Sequence, residues 1–100
     1  MKRVELLPSA LAEFEAAAQW YEAKRPGLGL DFVDRVEAQL LLIGEQPNRF
    51  PRWEEDSRYR KAKVTRFPYV LFYLERGDVV HVVAVAHGRR APGYWQKRGR

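Results

Sequence analysis

Residues 66–95, RFPYVLFYLERGDVVHVVAVAHGRRAPGYW, decide how this chain folds. They hold two apolar runs, 69–74 and 79–86, separated by the turn-forming Glu75-Arg76-Gly77-Asp78. Val, Tyr and Phe are prominent in both, and β-branched and aromatic side chains suit a pleated, half-buried surface. Runs this short between turn formers predict a β-hairpin rather than a buried helix. Directly after the second run come His87, Gly88, Arg89, Arg90, Pro92, Tyr94, Trp95, Lys97, Arg98 and Arg100. The sheet thus delivers its last strand into a cationic, aromatic tail, and that junction is the expected working end of the molecule.

Working outward, residues 2–7 predict a short first strand stopped by Pro8, with Ser9 as the helix N-cap that follows. Leu11, Phe14, Ala18 and Tyr21 recur at helical spacing until Pro26-Gly27. After Gly27-Leu28-Gly29, a second helix carries the stripe Phe32, Val36, Leu40 and Ile43, closed by Gln46-Pro47. So short a link predicts a helical hairpin. Residues 48–56 show no period and read as a surface loop. Residues 58–64 alternate, with Arg60, Ala62 and Val64 on one face and Tyr59, Lys61 and Lys63 on the other. The expected architecture is α+β, ordered β-α-α-β-β-β: a helical hairpin packed on a mostly antiparallel four-stranded sheet, in one domain spanning residues 1–100.

Composition narrows the function. At 46% hydrophobic and 31% charged residues, the 100-residue chain reads as an ordinary globule. No run approaches the roughly 20 apolar residues of a membrane span, and the first residues are too short a hydrophobic stretch for a signal peptide. The absence of cysteine excludes disulfides, thiol catalysis and Cys-based zinc sites, and His81 and His87 are too few for a histidine metal cluster. A cytoplasmic protein without metal or cofactor is the expectation. Charge is segregated: Glu5 to Glu45 holds eight acids against three bases, whereas Arg49 to Arg100 holds thirteen bases against five acids. A polyanion or an acidic protein partner suits such a distribution.

Several residues have a plainer reading. Trp20 and Tyr21 are expected to pack between helix and sheet, and His81 to face the sheet's open side without chemistry. Lys61 and Lys63 suit a solvated strand face, Arg66 suits a turn, and Lys97, Arg98 and Arg100 suit a solubilising terminus. Tyr94 and Trp95, two large aromatics near a terminus, are expected either to dock on the sheet or to stack on a partner.

Across nearly its whole length the chain resembles the RelE/ParE superfamily of toxins from bacterial type II toxin–antitoxin operons. The resemblance runs through Trp20-Tyr21-Glu22, Pro26-Gly27-Leu28-Gly29 with Phe32, Phe50-Pro51, Arg66-Phe67-Pro68-Tyr69, Phe72-Tyr73, Ala84-Val85-Ala86-His87, Arg90-x-Pro92 and Trp95. It implies a small α+β toxin neutralised by a cognate antitoxin, with either DNA gyrase or the ribosome and its mRNA as target. RelE-like members are metal-independent, ribosome-dependent endoribonucleases, whereas ParE-like members inhibit gyrase without catalysis. The ribonucleases share a Lys-x-Lys strand, an Arg directly after the Tyr that opens the next strand, an Arg past the last strand and a tail Tyr. Here Lys61-x-Lys63, Arg90 beside Arg89 and, more loosely, Tyr94 are similar, but Tyr69 is followed by Val70. Attack on a phosphodiester needs cations for the developing charge and a proton acceptor and donor. An aliphatic side chain supplies neither, leaving Arg66 and His87 as substitute candidates. The ParE-like reading is therefore favoured, with Arg89, Arg90, Tyr94 and Trp95 as the expected target-binding residues. A non-toxic nucleic-acid-binding module is the further alternative.

Overall fold

The computed structural model describes residues 1–91 and 93–99; Pro92 of the Arg90-x-Pro92 motif and Arg100 lie outside the described residues. Strand β1 (Arg3–Leu6) leads into helix α1 (Pro8–Lys24), and helix α2 (Leu28–Glu45) follows. The rest is sheet: β2 (Arg52–Trp53), β3 (Asp56–Lys63), β4 (Tyr69–Arg76) and β5 (Val79–His87), ending in a 3-10 turn, Gln96–Gly99. The strand order is β1-β5-β4-β3-β2, with β1 parallel to β5 and every other pair antiparallel. No helix among the described residues is long and apolar enough to cross a membrane.

The α+β class and the helical hairpin stand as expected, but the sheet has five strands rather than four. Residues 48–56, expected to be loop, contain β2, because Trp53 is drawn onto the sheet and buried beneath the tail. Helix α1 starts one residue before Ser9: Leu7 is the N-cap and makes no side-chain cap bond, while Pro8 sits in the first turn. A proline costs nothing there, since its missing N–H would have had no partner. The inward face of α1 runs through Ala10, Phe14, Ala17 and Tyr21, which leaves Leu11 exposed.

Glycines set the angle between the helices. Gly27 takes the left-handed φ of 90° that an L side chain resists. The Glu22 carboxylate accepts the amides of Gly27 (3.0 Å) and Gly29 (3.0 Å), satisfying α2's first turn from the preceding helix. A Cβ on Gly29 would stand 2.6 Å from the Ala18 carbonyl oxygen, so the two backbones touch there. Phe14, Tyr21 and Phe32 then lock the hairpin to Phe67 and Tyr69, with Tyr21–Phe67 and Phe32–Tyr69 centroids 4.9 and 5.1 Å apart. The Trp-Tyr-Glu, Gly-Leu-Gly and Phe-Pro-Tyr motifs are thus the joints of the scaffold.

Each face of the sheet carries a buried cluster. Ala62, Val64, Leu71, Tyr73, Val80, Val82 and Val85 face the helices. Trp53, Tyr59, Val83, Ala84, Ala86 and Trp95 form a second cluster on the far face, against Phe72 and Leu74. In β5 the pairing skips a residue: Phe72 opposes Ala84, whereas Tyr73 opposes Val82. Val83 is the extra residue of a β-bulge, and one inserted residue reverses which side chains face which side. Before it, Val80 and Val82 turn to the helices; after it, Val85 does, and Ala84 and Ala86 turn to the far face.

Candidate functional site

The far face brings most of the candidate residues together. Lys61 and Lys63 project from β3 on that side, opposite Phe72 and Val70 of β4, and Val70 opposes Ala86 of β5. The chain turns back at Gly88 and Arg90, whose amides donate to Pro68 O (2.7 Å) and His87 O (3.0 Å). This reversal lays Trp95 across the sheet, with its ring 4.4 Å from Phe72, 4.7 Å from Tyr59 and 5.0 Å from Trp53. Between the tail and the strands lies a hollow of about 170 Å³, lined by Lys61, Lys63, Val70, His87, Arg90, Tyr94 and Trp95 among others. Five candidates separated by up to 33 positions in sequence, Lys61, Lys63, His87, Arg90 and Tyr94, therefore meet around one opening.

Two candidates take other places, and a third is buried at the hollow's wall. Arg66 sits in the β3–β4 turn at the left-handed φ of 71° and lines a separate depression with Asp31, Asp34 and Arg35 of α2. Arg89 is exposed and does not line the hollow; its amide donates to His87 Nδ1 at 3.0 Å. Trp95 is 1% exposed, so its ring is a core element and offers no face for stacking on a target. Trp20, expected in the core, is 57% exposed with Lys24 Nζ 4.7 Å from its ring. Helical geometry explains the split: Tyr21 faces the sheet, and its neighbour is turned roughly 100° away.

The charges around the hollow are largely engaged. Lys61 Nζ donates to Glu54 at 2.9 Å, and this hydrogen bond pulls the Glu54 carboxyl below its ordinary range. The adjoining Asp56 is held at about 2, chiefly by the hydrogen bond from Arg58. Arg90 lies 3.8 Å over the Tyr94 ring, with Nη1 3.6 Å from Glu13 of α1. The Tyr94 hydroxyl donates to Glu13 at 2.5 Å, and burial followed by that bond pushes it up to about 12. The hydroxyl is thus committed to the Glu13 carboxylate as a donor. Lys63 is exposed and makes no ion pair among the described residues. Chemically, the arrangement is a cationic, aromatic rim around an aliphatic floor at Val70.

Glu13 is the site residue that sequence reading missed. It lies 72 to 85 positions from its partners, on a helix face that reads as solvent-exposed, and no local signal marks it.

A second surface adjoins the first. Between α1 and the end of the β4–β5 hairpin runs a groove of about 630 Å³, with apolar walls of Ala16, Ala17, Trp20, Tyr21, Tyr69 and Val85 and with Glu13, His87 and Arg90 at its edge.

Comparison with known proteins agrees with this scaffold. No curated protein matches the chain. A solved structure described as a chromosomal ParDE TA system from P. aeruginosa is similar at a TM-score of 0.77 and 18% identity, covering 87% of this chain and 96% of that one; at such identity the likeness is one of fold. The model of the family described as the ParE toxin of type II toxin–antitoxin system parDE matches residues 4–92. The chain thus belongs to the ParE toxin family of type II toxin–antitoxin systems.

Proposed function

We propose that this ParE-family toxin works without catalysis, by seating its cationic rim on DNA gyrase. The observation that carries the reading is the state of the hollow. Its floor is Val70, where a ribonuclease of this superfamily would need a cation, and its one tyrosine hydroxyl is bound to Glu13. A surface of Lys63, Arg90 and the edge of Tyr94 is suited to bind, and Val70 supplies none of the charge that attack on a phosphodiester develops.

A cognate antitoxin is the expected partner of any such toxin. The groove beside α1 supports an amphipathic segment as its form: Trp20 and the flanking alanines offer apolar contact, and His87 and Arg90 at the edge suit acidic side chains.

One observation favours a second reading. Lys61, Lys63, His87 and Arg90 do line the same hollow, as a RelE-like ribosome-dependent mRNA endoribonuclease would require. Two assays on induced cells and purified protein separate the readings. Blocked plasmid supercoiling by gyrase with intact mRNA on primer extension supports the gyrase inhibitor. Codon-phased cuts in translated mRNA with normal supercoiling overturn it in favour of the ribonuclease. Normal growth with folded protein present leaves only a nucleic-acid-binding module, with salt-sensitive affinity as its mark.

A further inference from the structure

The sheet has an unfinished edge. β5 runs from Val79 to His87, but β1 accompanies it only from Val79 to Val82, and Leu7 N–H closes that pairing on Val82 O. Beyond this point no strand among the described residues pairs with the outer edge of β5. A buried backbone donor or acceptor without a partner is costly, so something else must supply the bonds.

Two side chains do so. Glu13 Oε1 accepts the Val85 N–H at 3.1 Å, and Arg98 Nη1 donates to Val83 O at 3.3 Å. Arg98 Nη1 also donates to Glu13 Oε1 at 2.9 Å, so helix and tail are joined to each other and to the strand. The second carboxylate oxygen takes the Tyr94 hydroxyl and faces Arg90 at 3.6 Å. Arg90 and Arg98 lie 3.8 and 5.1 Å from the Tyr94 ring. One carboxylate, 15% exposed, thus gathers four groups, three of them from the tail.

We propose that Glu13 is the positioning residue of the cationic tail: by standing in for the missing strand at Val85 it clamps Arg98 and Tyr94, and so fixes Arg90 at the rim of the hollow. Glu13 takes no part in target contact itself. It acts through Arg90 and Tyr94, and in that respect the inference rests on the target-binding reading above. A carboxylate is required because all four partners present hydrogen or positive charge to it. The isosteric amide would turn an N–H toward Arg90 or Tyr94, losing one acceptor and the charge together.

The test uses the full-length toxin with Glu13→Gln, Arg98→Ala and Tyr94→Phe, and two independent readouts. The first, hydrogen exchange on the purified protein, needs no target. In Glu13→Gln the Val85 amide and the tail should exchange at least tenfold faster, while the Val80 and Val82 amides keep their protection and show that the domain is folded. Arg98→Ala should show the same pattern. Unchanged exchange at Val85 and in the tail overturns the proposal. The second readout is growth arrest on induction, which should weaken about tenfold in inducer dose for Glu13→Gln. The double variant Glu13→Gln, Tyr94→Phe should be no weaker than the worse single variant, because both substitutions break one unit. Losses that multiply instead would mean that Glu13 acts by another route, overturning the proposal. If exchange and growth respond as expected while gyrase supercoils normally, the clamp stands and only the identity of the target is wrong.

Discussion

Replacing Trp95 with alanine should cost the fold rather than the target contact. The indole is 1% exposed and touches Phe72, Tyr59 and Trp53 at centroid distances of 4.4 to 5.0 Å. A buried aromatic removes about 150–250 Å² from water, which at about 25 cal/mol per Å² is roughly 4–6 kcal/mol of transfer free energy. Alanine keeps a small share of that and the far-face cluster closes partly around the gap, so the expected loss is about 3–5 kcal/mol. A domain of this size has about 5–15 kcal/mol in hand. Trp95→Ala should therefore lie near the edge of folding, with a melting temperature lowered by at least about 12 °C. Urea unfolding followed by far-UV circular dichroism measures it, with Trp20→Ala as the control, since Trp20 is 57% exposed and should cost under about 1 kcal/mol. A loss below about 1 kcal/mol for Trp95→Ala would refute the reasoning, because the tail would then not seal a second core.

Other substitutions test other joints. Gly29→Ala should destabilise by about 1–3 kcal/mol although alanine is the better helix former, because its Cβ would stand 2.6 Å from Ala18 O; a gain in stability would show that the helices slide apart freely. Arg90→Ala should relieve growth arrest while costing no more than about 1 kcal/mol in urea, since its side chain is 56% exposed and its ion pair is loose; full toxicity would remove Arg90 from the target surface. High pH should destabilise the domain. Burial pushes the Tyr73 hydroxyl up to about 12, and burial with the Glu13 bond does the same for Tyr94, against about 10 in the unfolded chain. The unfolded state therefore loses these protons first: stability is whole below pH about 10 and is lost as pH climbs toward about 12. A urea midpoint that stays level between pH about 9 and about 11.5 would show that these hydroxyls are not desolvated.

The parts legible in the sequence were those governed by local period. Strand alternation placed Lys61 and Lys63 together on one face and Ala62 and Val64 on the other, as found. The apolar stripe Phe32, Val36, Ile43 placed α2, and the run from Ala84 to the arginines placed the end of β5 at the site. What escaped depends on pairing across the chain. A two-residue strand has no period, and Trp53 is buried against Phe72 and against Trp95, which arrives from 42 positions later. The bulge at Val83 is a mismatch between two strands, so neither run shows it alone, yet it decides that Ala86 rather than Val85 faces the tail. Trp20 was misjudged because helical spacing defines a stripe only to within about one residue, and Tyr21 took the inward place.

The tail's double duty has a consequence for locating function. Trp95 closes the far-face core, while Arg90 and Tyr94, five and one residues before it, form the rim of the hollow. Any deletion that removes the tail removes both together, and a loss of toxicity on truncation would say nothing about contact. The two roles separate only through substitutions matched for stability. Arg90 and Lys63 are exposed and cheap to lose, Trp95 is neither, and Glu13 sits between them as a partly buried charge on another element. If the rim is a binding surface, Arg90→Ala and Lys63→Ala must abolish toxicity at full stability. The parallel substitution Val70→Ala, on the floor, should leave toxicity intact, because a surface that binds without chemistry does not depend on a particular side chain at the bottom of its hollow.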